Sequence, residues 1–115
     1  MLLIYVPTDH PAPPPEQAQA EMDAWFAYTG ALAAAGVLVG GDPLALPTEA
    51  TTVRVRDGKR LVTDGPFAET KEVLLGYYLI DVPTLDEAID WAEKLPATPW
   101  GATEVRPVRD VEMPS

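Results

Sequence analysis

The stretch Val73 to Leu95, VLLGYYLIDVPTLDEAIDWAEKL, holds a complete strand-to-helix unit, and its reading decides the fold. Residues 73–82 are rich in Val, Leu, Ile and Tyr, the composition of a strand. Period-2 alternation puts Tyr78, Ile80 and Val82 on one face and Tyr77, Leu79 and Asp81 on the other. Pro83 stops the strand, because it has no N–H to give a ladder. Thr84 followed three residues later by Glu87 is a capping box, which opens a helix. Leu85, Ala88, Ile89, Ala92 and Leu95 then recur at helical spacing as its expected buried stripe, flanked by Trp91. Pro96 and Pro99 end the helix.

Working outward, the N-terminal half repeats the unit. Leu2 to Val6 is an apolar strand closed by Pro7. It lacks a basic leader segment and is too short for a signal peptide, so it reads as structure. A connector with five prolines in residues 7–15 leads to an alanine-rich helix over residues 16–35. Pro15 opens that helix and Gly36 caps its end. Met22, Trp25/Phe26, Thr29 and Leu32/Ala33 form its expected core stripe. Val37 to Val39 is a short strand, with Leu44 to Leu46 as a continuation beyond Pro43. Residues 51–63 alternate around Asp57-Gly58, the signature of a type I′ hairpin, with Val53 and Val55 on one face and Arg54 and Arg56 on the other. Thr103 to Val108 is the last strand.

With the hairpin treated as an insertion, the order is β, α, β, β, α, β. This is an α+β, ferredoxin-like split βαβ pattern, an antiparallel sheet with two helices on one face. At 115 residues it makes a single domain spanning 1–115. One-sided coverage leaves a bare sheet face, so a homodimer through that face, in the manner of a dimeric α/β barrel, is expected.

Composition excludes several functions. Eight Lys and Arg face 18 Asp and Glu, a net charge of −10. Such a surface repels nucleic-acid phosphates and anionic lipid headgroups. The absence of cysteine removes disulfides, thiolate nucleophiles and Cys-based metal sites, and fits a cytoplasmic location. No apolar run reaches the roughly 20 residues of a membrane span. The single histidine, His10, has no spacing partner for a metal, and no cofactor motif is present, so neither metal nor cofactor is expected. Asp9 beside His10 could raise its pKa, but a lone histidine in a proline-rich loop is ordinarily just exposed.

Asp64-Gly65-Pro66-Phe67 is the most specific local feature. Asp64 suits a turn entrance, Gly65 allows positive φ, Pro66 fixes φ, and Phe67 can plug the core from a loop. The run Val62 to Glu72, VTDGPFAETKE, resembles the signature of the DGPF branch of the YCII-related domain family. Leu75 to Ile80, Asp86 to Ala92, Gly101 to Val108 and Ala35 to Leu38 extend the resemblance over nearly the whole chain. The resemblance implies a dimeric ferredoxin-like fold in a bacterial protein and a family largely without assigned activity. Some members resemble small lyases or isomerases, with a histidine in the first helix and an aspartate before a proline after the second. This chain has Trp25 or a neighbour at the former place and Leu95 at the latter, so that chemistry is not carried over. Members fused to sigma-factor-like domains imply an alternative role, a non-catalytic accessory to transcription initiation with a sigma factor or polymerase subunit as partner.

The catalytic candidates are Asp64 as a base and Lys71 with Glu72 as an acid–base or ion pair. Glu104 and Arg106, two apart on a strand, share a face and suit either a clamp for an anionic group or cross-strand ion pairing. Tyr5, Trp25 and Tyr78, with Phe26, Tyr28 and Tyr77, either line a pocket or fill the core. Residues 1–53 contain six acids and no base. Arg54, Arg56 and Arg60 of the hairpin, and Lys71 and Arg106, thus put the positive charge near the candidate site. This favours a small anionic or carboxylate-bearing ligand. The expected activity, if any, is general acid–base work in a partly dry pocket.

Overall fold

In the computed structural model, residues 1–9, 13–66, 68 and 70–109 are described. His10 and Phe67 lie outside them. The first strand, β1 (Leu2–Pro7), alternates buried and half-buried residues along its length. Leu2, Ile4 and Val6 point to one side and are at most 8% exposed. Helix α1 (Pro15–Ala34) follows, opened by a proline in its first turn. It ends in a Schellman motif: Gly36 has φ +74°, its N–H donates to the Ala33 carbonyl, and the Val37 N–H donates to that of Leu32. Strand β2 (Leu38–Pro43) comes next, and a single 3₁₀ turn spans Pro47–Glu49. The hairpin is β3 (Thr51–Arg56) and β4 (Lys59–Asp64), joined through Asp57 and Gly58, both at positive φ as a type I′ turn requires. Strand β5 (Glu72–Ile80), helix α2 (Leu85–Lys94) and strand β6 (Ala102–Val105) complete the chain.

The main sheet has the order β2-β5-β1-β6 and every pairing is antiparallel. The strands joined through a helix, β1 with β2 and β5 with β6, are each separated by one strand, as split βαβ connections demand. Strands β3 and β4 pair with each other and form a separate two-stranded sheet. Within the main sheet Leu2 lies opposite Tyr78 and Val105, and Ile4 opposite Gly76 and Thr103. A bulge after Ile4 brings Val73 opposite Val6 and Leu74 opposite Tyr5. The helix-facing layer is therefore Leu2, Ile4 and Val6 packed under Tyr28 and Leu32 of α1 and Ala92 of α2, with Leu95 and Ala97 beyond it. The other face carries Leu3, Tyr5, Leu74, Tyr77 and Glu104.

Element existence follows the sequence reading, while several boundaries and both helix stripes differ. Leu44 to Leu46 do not extend β2, and β6 stops at Val105. On α1 the buried residues are Tyr28 and Leu32, whereas Met22 is 51% and Phe26 69% exposed. At 100° per residue Phe26 sits about 200° around the helix from Tyr28, so a stripe centred on Tyr28 turns Phe26 outward. After Asp23 the helix is alanine-rich with Thr29 as its one polar side chain, so little marks the outer face of its second half. On α2 the stripe narrows to Ala88 and Ala92, with the expected Leu95 buried just past the helix end, and Leu85 and Ile89 are 61% and 45% exposed. The N-cap is as expected: the Glu87 N–H donates to Thr84 Oγ1 at 3.2 Å.

Candidate functional site

Strand β1 is the ruler for the candidate residues. At its C-terminal end Pro7 lies opposite Glu72. The Thr8 N–H and Oγ1 both donate to the Lys71 carbonyl, at 2.9 and 3.2 Å. Thr70 Oγ1 donates to the Glu72 carbonyl. These contacts tie the segment before β5 to the end of β1 and shape a depression of about 460 Å³ lined by Pro7, Thr8, Asp9, Lys71 and Glu72. Lys71 and Glu72 are exposed.

Glu104 and Arg106 lie at the opposite end. Glu104 faces Leu3, and β1 and β6 are closed by Arg106 N–H to the Met1 carbonyl (2.9 Å) and the Met1 amino group to the Arg106 carbonyl (2.7 Å). Burial lowers the pKa of that amino group. Arg106 Nη2 stands 2.5 Å from Glu104 Oε2, with both side chains substantially exposed. The two pair with each other along the chain rather than across strands as expected. Beside them runs a groove of about 440 Å³ between the sheet end and the first turn of α2, lined among others by Leu2, Val39, Ile80, Leu85, Val105 and Arg106. Asp81 and Thr84 stand at the same groove.

The two clusters are four residues apart along β1, about 13 Å at strand rise. Asp64 joins neither. It ends β4 opposite Thr51, is exposed, and precedes a turn in which Gly65 has φ +97°. The Gly65 N–H donates to the Ala50 carbonyl and Thr52 Oγ1 to the Gly65 carbonyl, each at 2.7 Å. Asp64, Lys71, Glu72, Glu104 and Arg106 thus do not line one cavity of the single chain.

The aromatic candidates divide between the two sheet faces. Trp25 and Tyr78 stack at 6.5 Å between α1 and the sheet. The Tyr78 hydroxyl is 2.6 Å from Thr29 Oγ1 and its ring meets Tyr28 edge-on at 5.4 Å. The Tyr28 hydroxyl donates to the Trp91 carbonyl at 2.7 Å, joining the two helices. Burial, with a smaller contribution from Tyr78, raises the Tyr28 pKa. Tyr5 is on the opposite face, against Leu74 and Ala102, and shares no pocket with Trp25 and Tyr78. The buried hydroxyls find Trp91 and Thr29 as partners, on the face of the sheet opposite the one that carries Glu104. On that open face the Tyr77 hydroxyl donates to Asp42 Oδ2 at 2.8 Å, which raises the Tyr77 pKa.

Sequence reasoning missed Asp42 and the groove residue Val39. Both sit on β2, whose register against β5 shifts between Leu38 and Gly40 and so cannot be counted from the strand pattern. Leu85 of the groove carried a signal, a large apolar residue at the first position of a capped helix, but the pattern assigned it to the core. Among the described residues no group of three or more His, Asp or Glu is placed to hold a metal, and no helix is long and apolar enough to cross a membrane.

Four antiparallel strands in the order β2-β5-β1-β6, with both helices on one face, define an α+β domain of ferredoxin-like arrangement. The model of the YCII-related domain matches residues 1–112, and the chain belongs to that family. An uncharacterised protein of Rhizobium meliloti (strain 1021), R00369, is 52% identical over 75 residues. The match covers 59% of this chain, which in turn spans 59% of that relative's length.

Proposed function

We propose that this protein, of the DGPF branch of its family, is a cytoplasmic homodimer that binds a small anionic organic molecule. The observation that carries the reading is the groove beside Arg106. Its walls are apolar, supplied by Leu2, Val39, Ile80, Leu85 and Val105, and Arg106 is among the residues that line it. An apolar cleft with a few convergent polar groups is the usual form of a small-molecule site. Arginine presents five N–H donors in a planar fork that matches a carboxylate, so the ion pair with Glu104 leaves donors for a ligand. Asp81 on the same groove disfavours a polyanion and supports a molecule with one acidic group and an apolar body.

The homodimer reading rests on the open sheet face. Leu74 there is 37% exposed, and Leu3, Tyr5 and Tyr77 are half-buried with no helix over them. A second copy is the ordinary cover for a one-sided sheet. Lyase- or isomerase-type acid–base chemistry by Asp64, Lys71 and Glu72 depends on that second copy. The three are exposed in one chain, and a carboxylate is tuned for proton transfer near neutral pH by burial.

Titration of the ¹⁵N-labelled protein with a panel of small aromatic and aliphatic monocarboxylates tests the binding reading. The expected result is amide shifts at Val39, Leu85 and Arg106, and about tenfold weaker binding after Arg106→Ala, the loss of roughly one charged hydrogen bond. A panel that moves none of these amides sinks it.

A further inference from the structure

We propose that the acid taken by the Arg106 groove is a zwitterion, an amino acid with an apolar side chain, its carboxylate on Arg106 and its ammonium on Asp81. The inference rests on the groove reading above and narrows it to one chemical class. Arg106 and Asp81 are the one basic and the one acidic side chain among the residues that line the groove. Thr84 is the remaining polar side chain there, and its Oγ1 already accepts from the Glu87 N–H.

The register puts the two charges on one side of the sheet. Leu3 lies opposite both Tyr77 and Glu104, so those two share a face. Asp81 is four residues on from Tyr77, and Arg106 two on from Glu104, so alternation keeps both on that face. They are two strands and two residues apart, about 12 Å between Cα atoms by strand geometry. Two side chains can close such a span around a small molecule. Both backbones are held in the ladder. The Asp81 N–H donates to the Val37 carbonyl at 2.8 Å, and the Arg106 N–H to the Met1 carbonyl at 2.9 Å.

Charge then selects the ligand. Glu104 engages Arg106 through Nη2, which leaves other N–H donors of the fork for a carboxylate. The Asp81 carboxylate has no hydrogen bond or ion pair among the described residues. A ligand with an acidic group alone would bring a second negative charge beside it, and such an unbalanced pair costs affinity. An ammonium on the same ligand removes that cost. Asp86 and Glu87 in the first turn of α2 add negative charge at the Asp81 end, which orients the ligand with its carboxylate toward Arg106. A net-neutral ligand also escapes the general repulsion of a protein with a net charge of −10.

Three probes with one body separate the charges: 3-phenylpropionate carries the acid, 2-phenylethylamine the amine, and phenylalanine both. Each is titrated into the ¹⁵N-labelled full chain, as wild type, Asp81→Asn and Arg106→Ala, with shifts read at Val39, Asp81, Leu85 and Arg106. Circular dichroism checks the fold of each variant; Asp81 is exposed, and its backbone bond to Val37 survives the change. Phenylalanine is expected to bind wild type at least about tenfold tighter than either partial probe, the worth of one charged hydrogen bond. Asp81→Asn should abolish its advantage over 3-phenylpropionate, and Arg106→Ala its advantage over 2-phenylethylamine. Phenylalanine that binds no tighter than 3-phenylpropionate, or an advantage that survives Asp81→Asn, overturns the zwitterion and leaves the acid-binding groove standing. The amine binding tightest of the three overturns both, as does a set of probes that moves none of these amides.

Discussion

Strands β1 and β3 are both six residues long and both alternate, yet they end in opposite surroundings. Every second residue of β1 is buried under the helices, while Val53 and Val55 of β3 stay in water. Alternation in sequence therefore specifies a strand and which residues share a face. It does not say whether anything packs on that face. For β1 the covering layer is in the same chain, in α1 and α2. For the hairpin, no described element covers the valines.

The comparison breaks most visibly in the helix layer. Leu32 is fully buried at the centre of the cluster formed with Leu2, Ile4 and Val6. Leu32→Ala should destabilise the fold by about 2–5 kcal/mol, the lost transfer energy plus the cavity left behind. Urea denaturation measures this. A loss below about 1 kcal/mol would show that the helix layer does not hold the sheet as the packing indicates.

A smaller effect tests how the covering layer is fastened. Tyr28→Phe keeps the ring against Tyr78 and Trp91 and removes the hydrogen bond to the Trp91 carbonyl, a cost of about 1 kcal/mol. It also changes the response to alkali. Tyrosine in the unfolded chain ionises near pH 10, whereas burial keeps Tyr28 protonated to higher pH in the folded protein. Above pH 10 the unfolded state has released a proton that the folded state still holds, so stability falls as pH rises, and is intact below that range. Tyr77, hydrogen-bonded to Asp42, acts in the same direction. The loss of stability between pH 9 and 11 should be shallower in Tyr28→Phe than in wild type, and equal slopes would remove Tyr28 from this account.

How legible each part was depends on the range of the signal that specifies it. The α2 cap, the Asp57-Gly58 turn and the Gly36 terminus were readable because a few adjacent residues carry each of them. Sheet order followed from the sequence of elements, since the split βαβ pattern has few solutions. On α1 the expected stripe holds at Trp25, Thr29 and Leu32 but fails at its edge, where Met22 and Phe26 counted as core by type in a helix whose alanines give little contrast. The candidate site was least legible. Lys71 and Glu72 near one end of β1, and Glu104 and Arg106 near the other, are placed by the register of two antiparallel pairings, one of them interrupted by a bulge. No local pattern encodes that distance. Tyr5 parted from Trp25 and Tyr78 for a simpler reason: an odd-numbered position on β1 faces away from the helices.

The smallest expected effect sharpens the opening contrast, because it uses one substitution in two strands. Val→Thr preserves shape and β-branching and exchanges a methyl for a hydroxyl. At Val6, 8% exposed between the sheet and the helices, the hydroxyl enters an apolar layer and should cost about 1–3 kcal/mol. At Val55, 63% exposed on the hairpin, the same exchange should stay within about 0.5 kcal/mol in a dilute sample where chains are separate. A Val55 penalty that is large in dilute solution would mean the hairpin packs on its own domain, and the contrast between the two strands would be lost.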